Sequence, residues 1–218
     1  MRQSMAKRSQ TPVQTAAPAR VRRSYFECLY GQLHVHHAIP AGGGFEEGTP
    51  LLALHAAAQT GRMFGGILAV LGADRSAFAP DLPGFGQSDG PWEALTVADH
   101  AAAIGDFLDA MRLRQVDVLG CGLGALVAVE LAVSRPGVRR VVVMPLPPEP
   151  AQRDYPLSAQ MARIAQPALL LYPREMPQAL LTAAGQLPAR ARRELPGDLS
   201  LLETAPETVV DAIKGFLD

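Results

Sequence analysis

One ten-residue stretch limits the folds open to this chain more than any other. Val116-Asp117-Val118-Leu119-Gly120-Cys121-Gly122-Leu123-Gly124-Ala125 reads as a strand, a glycine-rich turn and the start of a helix. Glycine at 120 and 124 removes the side chains that would hold strand and helix apart. Between them lies Gly122, at the tip of the turn, where glycine adopts a strained backbone at little cost.

Around this unit the chain alternates in the manner of an α/β protein. Tyr25–Tyr30 and Gln32–Ile39 predict a hairpin divided at Gly31. Leu51–Leu54 is short and wholly apolar, as expected of a strand covered on both faces. Met63–Leu71 predicts a helix and Ala77–Ala79 the next strand. Thr96–Met111 has helical periodicity, with Thr96 as N-cap and Asp99 at the capping-box position. Strands at Val138–Met144 and Ala168–Tyr172 follow, with a short helix near Leu157–Ile164 between them and a final helix near Pro206–Leu217. The alternation predicts a doubly wound, mostly parallel sheet with helices on both faces.

At 218 residues the chain suits one domain with a sizeable core. Its net charge of −1 gives no reason to expect nucleic acid as a partner. Residues 1–24 hold Arg2, Lys7, Arg8, Arg20, Arg22 and Arg23 and no acid, without hydrophobic periodicity. They read as a flexible basic tail before a domain at 25–218. A transit-like peptide or an arm for an acidic partner is the functional alternative. The first thirty residues lack the apolar run of a signal peptide. The apolar region Leu51–Ala73 is broken by His55, Gln59 and Arg62, so no membrane span is expected. Two cysteines, Cys28 and Cys121, give no disulfide framework and fit a reducing cytoplasm. The arginine-rich, lysine-poor composition suggests a GC-rich bacterial source.

Three motifs in order carry a family resemblance. Leu51-Leu52-Ala53-Leu54-His55-Ala56 resembles the strand and His-Gly oxyanion loop of the α/β-hydrolase superfamily. Pro80-Asp81-Leu82-Pro83-Gly84-Phe85-Gly86-Gln87-Ser88-Asp89-Gly90-Pro91 resembles that superfamily's following turn, and Gly120–Gly124 resembles its nucleophile elbow. The resemblance runs from about Tyr25 to the C-terminus and implies the α/β-hydrolase fold. Many relatives insert a cap domain after the strand matching Val138–Met144. Here Pro145, Pro147, Pro148 and Pro150 and a short helix fill that interval, so no cap domain is expected and any pocket should be open.

The resemblance also implies where a Ser-His-Asp triad would lie, and this chain departs from it at each place. Gly122 stands at the nucleophile position and has no side chain to attack with. The acid position falls on Met176, with Glu175 one residue early, and the base position falls on Asp198; no histidine follows His100. The pattern is that of a degenerate triad and a pseudoenzyme. Backbone amides of Ala56 and Leu123 could still form an oxyanion hole. Loss of the serine side chain is expected to leave space there for a water, an anion or a carbonyl-bearing ligand, with His55, Phe85 and Trp92 as neighbours. A protein partner closing the open pocket is the other binding role.

Other readings stay open. Cys121 could serve as an off-register nucleophile with His55, although centring the turn on it would place Leu119 and Leu123 where small residues are needed. Gly120–Gly124 also matches a dinucleotide or S-adenosylmethionine loop, but Val118 and Glu149 do not supply the acids such loops use. His34 and His36 share a strand face while His37 points away; without a matched acid they do not define a metal site. Asp81 and Asp89 read as turn-stabilising residues. Trp92 lines a pocket rim or covers the core edge, and Cys28 is a small core residue. No cofactor or metal is expected.

Overall fold

The computed structural model describes residues 18–42, 47–146, 153–175, 177–178, 182, 185, 187–189 and 191–218. Eight strands form one sheet. They are β1 (Arg22–Cys28), β2 (Gly31–Ala38), β3 (Leu51–Leu54), β4 (Ala77–Pro80), β5 (Val116–Cys121), β6 (Val138–Met144), β7 (Ala168–Pro173) and β8 (Ala191–Leu195). Their spatial order is β1-β2-β4-β3-β5-β6-β7-β8. β1 and β2 are antiparallel to their neighbours; every pairing from β4 through β8 is parallel.

The alternation of strand side chains divides the core cleanly. Leu52, Leu54, Phe78, Val118 and Val143 face one layer, built by α2 (Val97–Ala110), α3 (Leu123–Ser134) and α4 (Leu157–Arg163). Leu51, Ala53, Leu119, Cys121 and Met144 face the other. That layer holds α1 (Gly65–Leu71), the short α5 (Leu201–Thr204) and α6 (Pro206–Leu217). A strand buried on both faces must be apolar throughout, which is why β3 has no polar residue. Helix α3 is buried nearly all round because the sheet, α2 and α4 surround it.

Buried polar groups tie the ends together. Asp117, fully buried on β5, accepts from Arg139 Nε at 3.0 Å and Nη2 at 2.7 Å. Arg139 and Arg140 both donate to the carbonyl of Leu217, and Arg75 donates to Asp218 at 2.6 Å. The last helix is thereby held against the sheet by cations that satisfy its carbonyl at Leu217 and the Asp218 carboxylate. On the opposite face, Tyr155 donates to Glu130 at 2.8 Å and fixes the segment before α4 against α3.

Two expectations need adjustment. β1 begins at Arg22 rather than Tyr25, because Arg22, Arg23 and Ser24 pair with His37, His36 and Val35. Ala19 also donates to Ala69 O at 2.7 Å, so residues 18–24 belong to the folded domain and not to a tail. Residues 1–17 lie outside the described residues. Between β6 and β7 the described residues form only α4 and its flanks, and no cap domain.

Helix α2 starts at the capping box expected from the sequence. Asp99 N donates to Thr96 Oγ1 at 3.2 Å and Thr96 N donates to Asp99 Oδ2 at 2.9 Å. Thr96→Ala should therefore lower unfolding free energy by about 1 kcal/mol in urea titration, while Thr96→Ser should stay close to the parent.

Candidate functional site: the elbow and its cavity

The turn after β5 is built by exclusion of side chains. A Cβ on Gly120 would overlap the carbonyl of Gly124, and one on Gly124 would overlap that of Leu54. Only glycine at both lets α3 start against β5 and β3. Gly124 N then donates to His55 O at 2.9 Å, and Gly122 N to Met144 O at 3.0 Å. Gly122 is left with φ 55° and ψ −118°, the conformation expected at the tip of an elbow. It is also the N-cap of α3 and offers no side chain to the helix end, whose first turn has no acid. Among the described residues, no backbone carbonyl accepts from the Leu123 or Ala56 amide.

The place next to the Gly122 Cα is tight. A Cβ on Gly122 would lie 2.9 Å from Ala56 Cβ and 3.2 Å from Leu146 Cδ1. The methyl of Ala56 and the tip of Leu146 crowd the position that a Cβ would take. A ligand reaching Leu123 must approach from another side.

At the base position, Asp198 is exposed and accepts from Ser200 N at 2.8 Å, capping the turn into α5. That bonding holds its carboxyl below the usual carboxylate range. Glu175 is exposed, its amide donating to Gly197 O at 3.0 Å. Met176 lies outside the described residues, as does Glu149.

The substitute nucleophile and base fare poorly. Cys121 is 0% exposed in the layer of α1 and α6, and burial pushes its thiol up to about 12. A thiol this protonated is unreactive at neutral pH. His55 is also fully buried, with both nitrogens engaged. Leu82 N donates to Nε2 at 2.8 Å, so Nδ1 carries the hydrogen and donates to Ala56 O at 2.8 Å. Burial lowers its pKa, and the ring serves to bridge two loops.

A cavity of about 320 Å³ opens beside the elbow, between the starts of α2 and α3. Leu123, Phe85 and Trp92 line it, together with His100, which the sequence reading did not single out. His100 is 4% exposed and its Nδ1 has no hydrogen-bond partner. Burial, with the neighbouring His55, lowers its pKa to about 4. Its signal was present: His100 is one turn before Ile104 on the apolar stripe of α2, a polar residue at a core position.

Asp81 is a second point where structure supplies what the sequence left apart. One of its oxygens accepts from Gly61 N at 2.7 Å, the other from Gln87 N at 3.0 Å and His34 Nδ1 at 2.9 Å. Burial opposes its ionisation, but these bonds outweigh that and hold its pKa below the usual range. His34, His36 and Asp81 place a donor atom each within 4.8 Å of one another, so the histidine pair does have a matched acid. That carboxylate is already engaged by two amides and an imidazole. Asp89, as expected, is structural: Oδ2 accepts from Gln32 N at 2.8 Å. Cys28 is half-buried against the core edge.

The fold and the motifs agree with comparisons to known proteins. The model of the "Alpha/beta hydrolase family" matches residues 51–216. The chain belongs to that family. An uncharacterised protein of Mycobacterium tuberculosis is 27% identical over 96% of this chain and 61% of its own length. The chain thus spans about three fifths of the length of the first curated relatives it matches. The 2-hydroxymuconate semialdehyde hydrolase of Pseudomonas sp. (strain CF600) is 36% identical over 36% of this chain and 28% of its own. Among solved structures, a serine-to-glycine mutant of the N-acyl homoserine lactonase AidH, complexed with N-hexanoyl homoserine lactone, superposes with a TM-score of 0.74. It is 16% identical, over 90% of this chain and 97% of that one. No helix among the described residues is long and apolar enough to cross a membrane.

Two outcomes follow from this geometry. Gly122→Ala should destabilise the fold by roughly 1–3 kcal/mol, through the positive φ and the contact with Ala56 together. In a double-mutant cycle Ala56→Gly should recover only the share that comes from the contact, leaving the backbone share in place. Stability should also fall with acid. His100 has a folded pKa of about 4 against an ordinary 6.5, so its contribution is complete above 6.5 and is lost as pH drops towards 4. Denaturation midpoints across that range should show the fall, shallower in His100→Leu; His36, His37 and His55, also lowered, keep part of it.

Proposed function

We propose that this chain has left serine hydrolysis and uses the α/β-hydrolase scaffold to bind a small ligand beside the elbow. The observation that carries the reading is the crowding of the Gly122 Cβ position by Ala56 and Leu146. Loss of a serine alone would leave a hole that a reversion could refill. Here neighbouring side chains crowd the Cβ position, which supports a site no longer held open for attack. Asp198 engaged as a turn cap, Cys121 buried and protonated, and His55 saturated all support the same reading. So does the AidH mutant, in which a chain of this fold bearing a serine-to-glycine change is complexed with a lactone.

The ligand site is the cavity lined by Leu123, Phe85, Trp92 and His100. A protein partner covering its mouth is the second reading, favoured by Trp92, which is fully exposed at 106%. Neither role needs a cofactor. A reducing compartment such as the cytoplasm suits the free Cys28 and Cys121.

Purified protein should show no burst with nitrophenyl acetate and no labelling by a fluorophosphonate. Burst kinetics, or adduct formation at any residue of 120–124, would end the proposal. Iodoacetamide should modify Cys121 only after unfolding. Gly122→Ser combined with Met176→Asp and Asp198→His should stay inactive until Ala56→Gly is added, since the serine has no room before then.

A further inference from the structure

We infer that His34, His36 and Asp81 form a zinc site, separate from the cavity at the elbow. A bound ion there clips the edge hairpin of β1 and β2 to the loop that follows β4.

Strand geometry brings the three residues together. His34 and His36 alternate with Leu33 and Val35 along β2. Leu33 and Val35 pack into the layer of α2 and α3, so the two imidazoles share the opposite face. β2 pairs with β4, and Asp81 N donates to His34 O at 2.8 Å, which sets Asp81 beside them. Each of the three offers one donor atom, all within 4.8 Å of one another. His34 and Asp81 are buried, whereas His36 is half-buried and leaves a way in from solvent.

The donor set suits zinc. Two imidazoles and a carboxylate are nitrogen and oxygen ligands that zinc takes, with a water as the fourth. At bond lengths of about 2.0–2.2 Å, tetrahedral ligand atoms stand roughly 3.3–3.5 Å apart. His34 Nδ1 and Asp81 Oδ2 are 2.9 Å apart, so an ion enters by opening one short contact slightly. The hydrogen on Nδ1 passes through solvent to Nε2, and the ring stays neutral as it binds. The other separations close by a turn of His36. Its ring meets that of His34 with centroids 4.8 Å apart, and it hydrogen-bonds to no described residue that would hold it back.

Asp81 brings its own supporting bonds. Oδ1 accepts from Gly61 N at 2.7 Å and Oδ2 from Gln87 N at 3.0 Å, and neither has to break. Hydrogen bonds of this kind orient a ligating carboxylate.

Neighbouring charges select the class of metal. Arg23 stands opposite His36 on β1, and Arg62 also acts on that ring electrostatically. A single carboxylate beside two arginines does not hold Ca²⁺ or Mg²⁺, which need several oxygen ligands. An ion that bonds imidazole nitrogen is kept in spite of them. Both arginines are exposed and can turn towards solvent.

The full chain, free of any histidine tag, would be titrated with Zn²⁺ by calorimetry and with Co²⁺ by visible absorption. One Zn²⁺ per chain is expected, with a raised Tm and the intense bands of tetrahedral Co²⁺. His36→Ala should weaken Zn²⁺ binding by about ten-fold or more, since it removes a ligand from a half-buried position. His36→Cys should keep binding and add the near-ultraviolet absorption of a thiolate on Co²⁺, which marks position 36 as a ligand whatever its effect on stability. His37→Ala changes the next residue along, on the opposite face, and should leave affinity unchanged. Far-ultraviolet circular dichroism of each variant checks that the fold is kept.

No saturable Zn²⁺ binding, equal affinity in His36→Ala, an equal loss in His37→Ala, no thiolate band in His36→Cys, or displacement of Zn²⁺ by equimolar Ca²⁺ would each overturn the assignment. Ester turnover does not bear on it, because the site lies outside the cavity at the elbow.

Discussion

The approach of α3 to β5 and β3 at backbone distance is the constraint from which the rest of the site follows. With Gly120 and Gly124 in contact with carbonyls, the chain has one way to turn, and Gly122 must take a positive φ at its tip. That turn sets Leu123, the first residue of α3, at the cavity wall and brings the Gly124 amide to His55 O. His55 passes the constraint on. Its two nitrogens join the loop after β3 to Leu82, at the root of the loop that carries Phe85 and Trp92. Elbow, the loop after β3 and the cavity wall are therefore positioned as one unit by backbone hydrogen bonds and by the His55 side chain.

This explains how a chain can keep the architecture of its family while its reactive side chains change. The scaffold contributes stability through packing and backbone bonding; nucleophile, base and acid contribute almost none. On the non-hydrolytic reading proposed above, the elbow has no need of an open side, and Ala56 and Leu146 lie close against it. On the same reading, Asp198, at the position matched to the base, serves to cap a turn.

Much of the fold was legible because it depends on local patterns. The apolar run of β3, the Thr96–Asp99 cap and the glycine spacing of the elbow each encode their own geometry, and all appear as read. The start of β1 was missed because Arg22–Ser24 look like tail composition; their order comes from pairing with β2, a contact that no window of sequence contains. The closure at Gly122 was missed for a similar reason. It depends on a methyl from one loop and a leucine from another meeting at a single point. His100 carried a faint signal as a polar residue on an apolar stripe, but its empty nitrogen and its cavity exist only in three dimensions. The pairing of His34 with Asp81 joins a residue of β2 to the one just after β4, and spacing in the chain does not disclose it.

The Asp81 hub has one more consequence, for the order of assembly. His34 reaches the carboxylate only if β2 lies on β4 in the observed register, with Ser88 Oγ accepting from His34 N and donating to Asp81 O. Sliding β2 by one residue would turn His34 to the opposite face and leave the carboxylate and two loop hydrogen-bonding groups unmatched at once. The edge hairpin therefore works as a checksum on the sheet. A misaligned strand cannot be tolerated locally, because the error propagates through Gly61 and Gln87 into the loop walling the cavity. Correct pairing at the rim of the sheet is a precondition for a formed pocket some distance away.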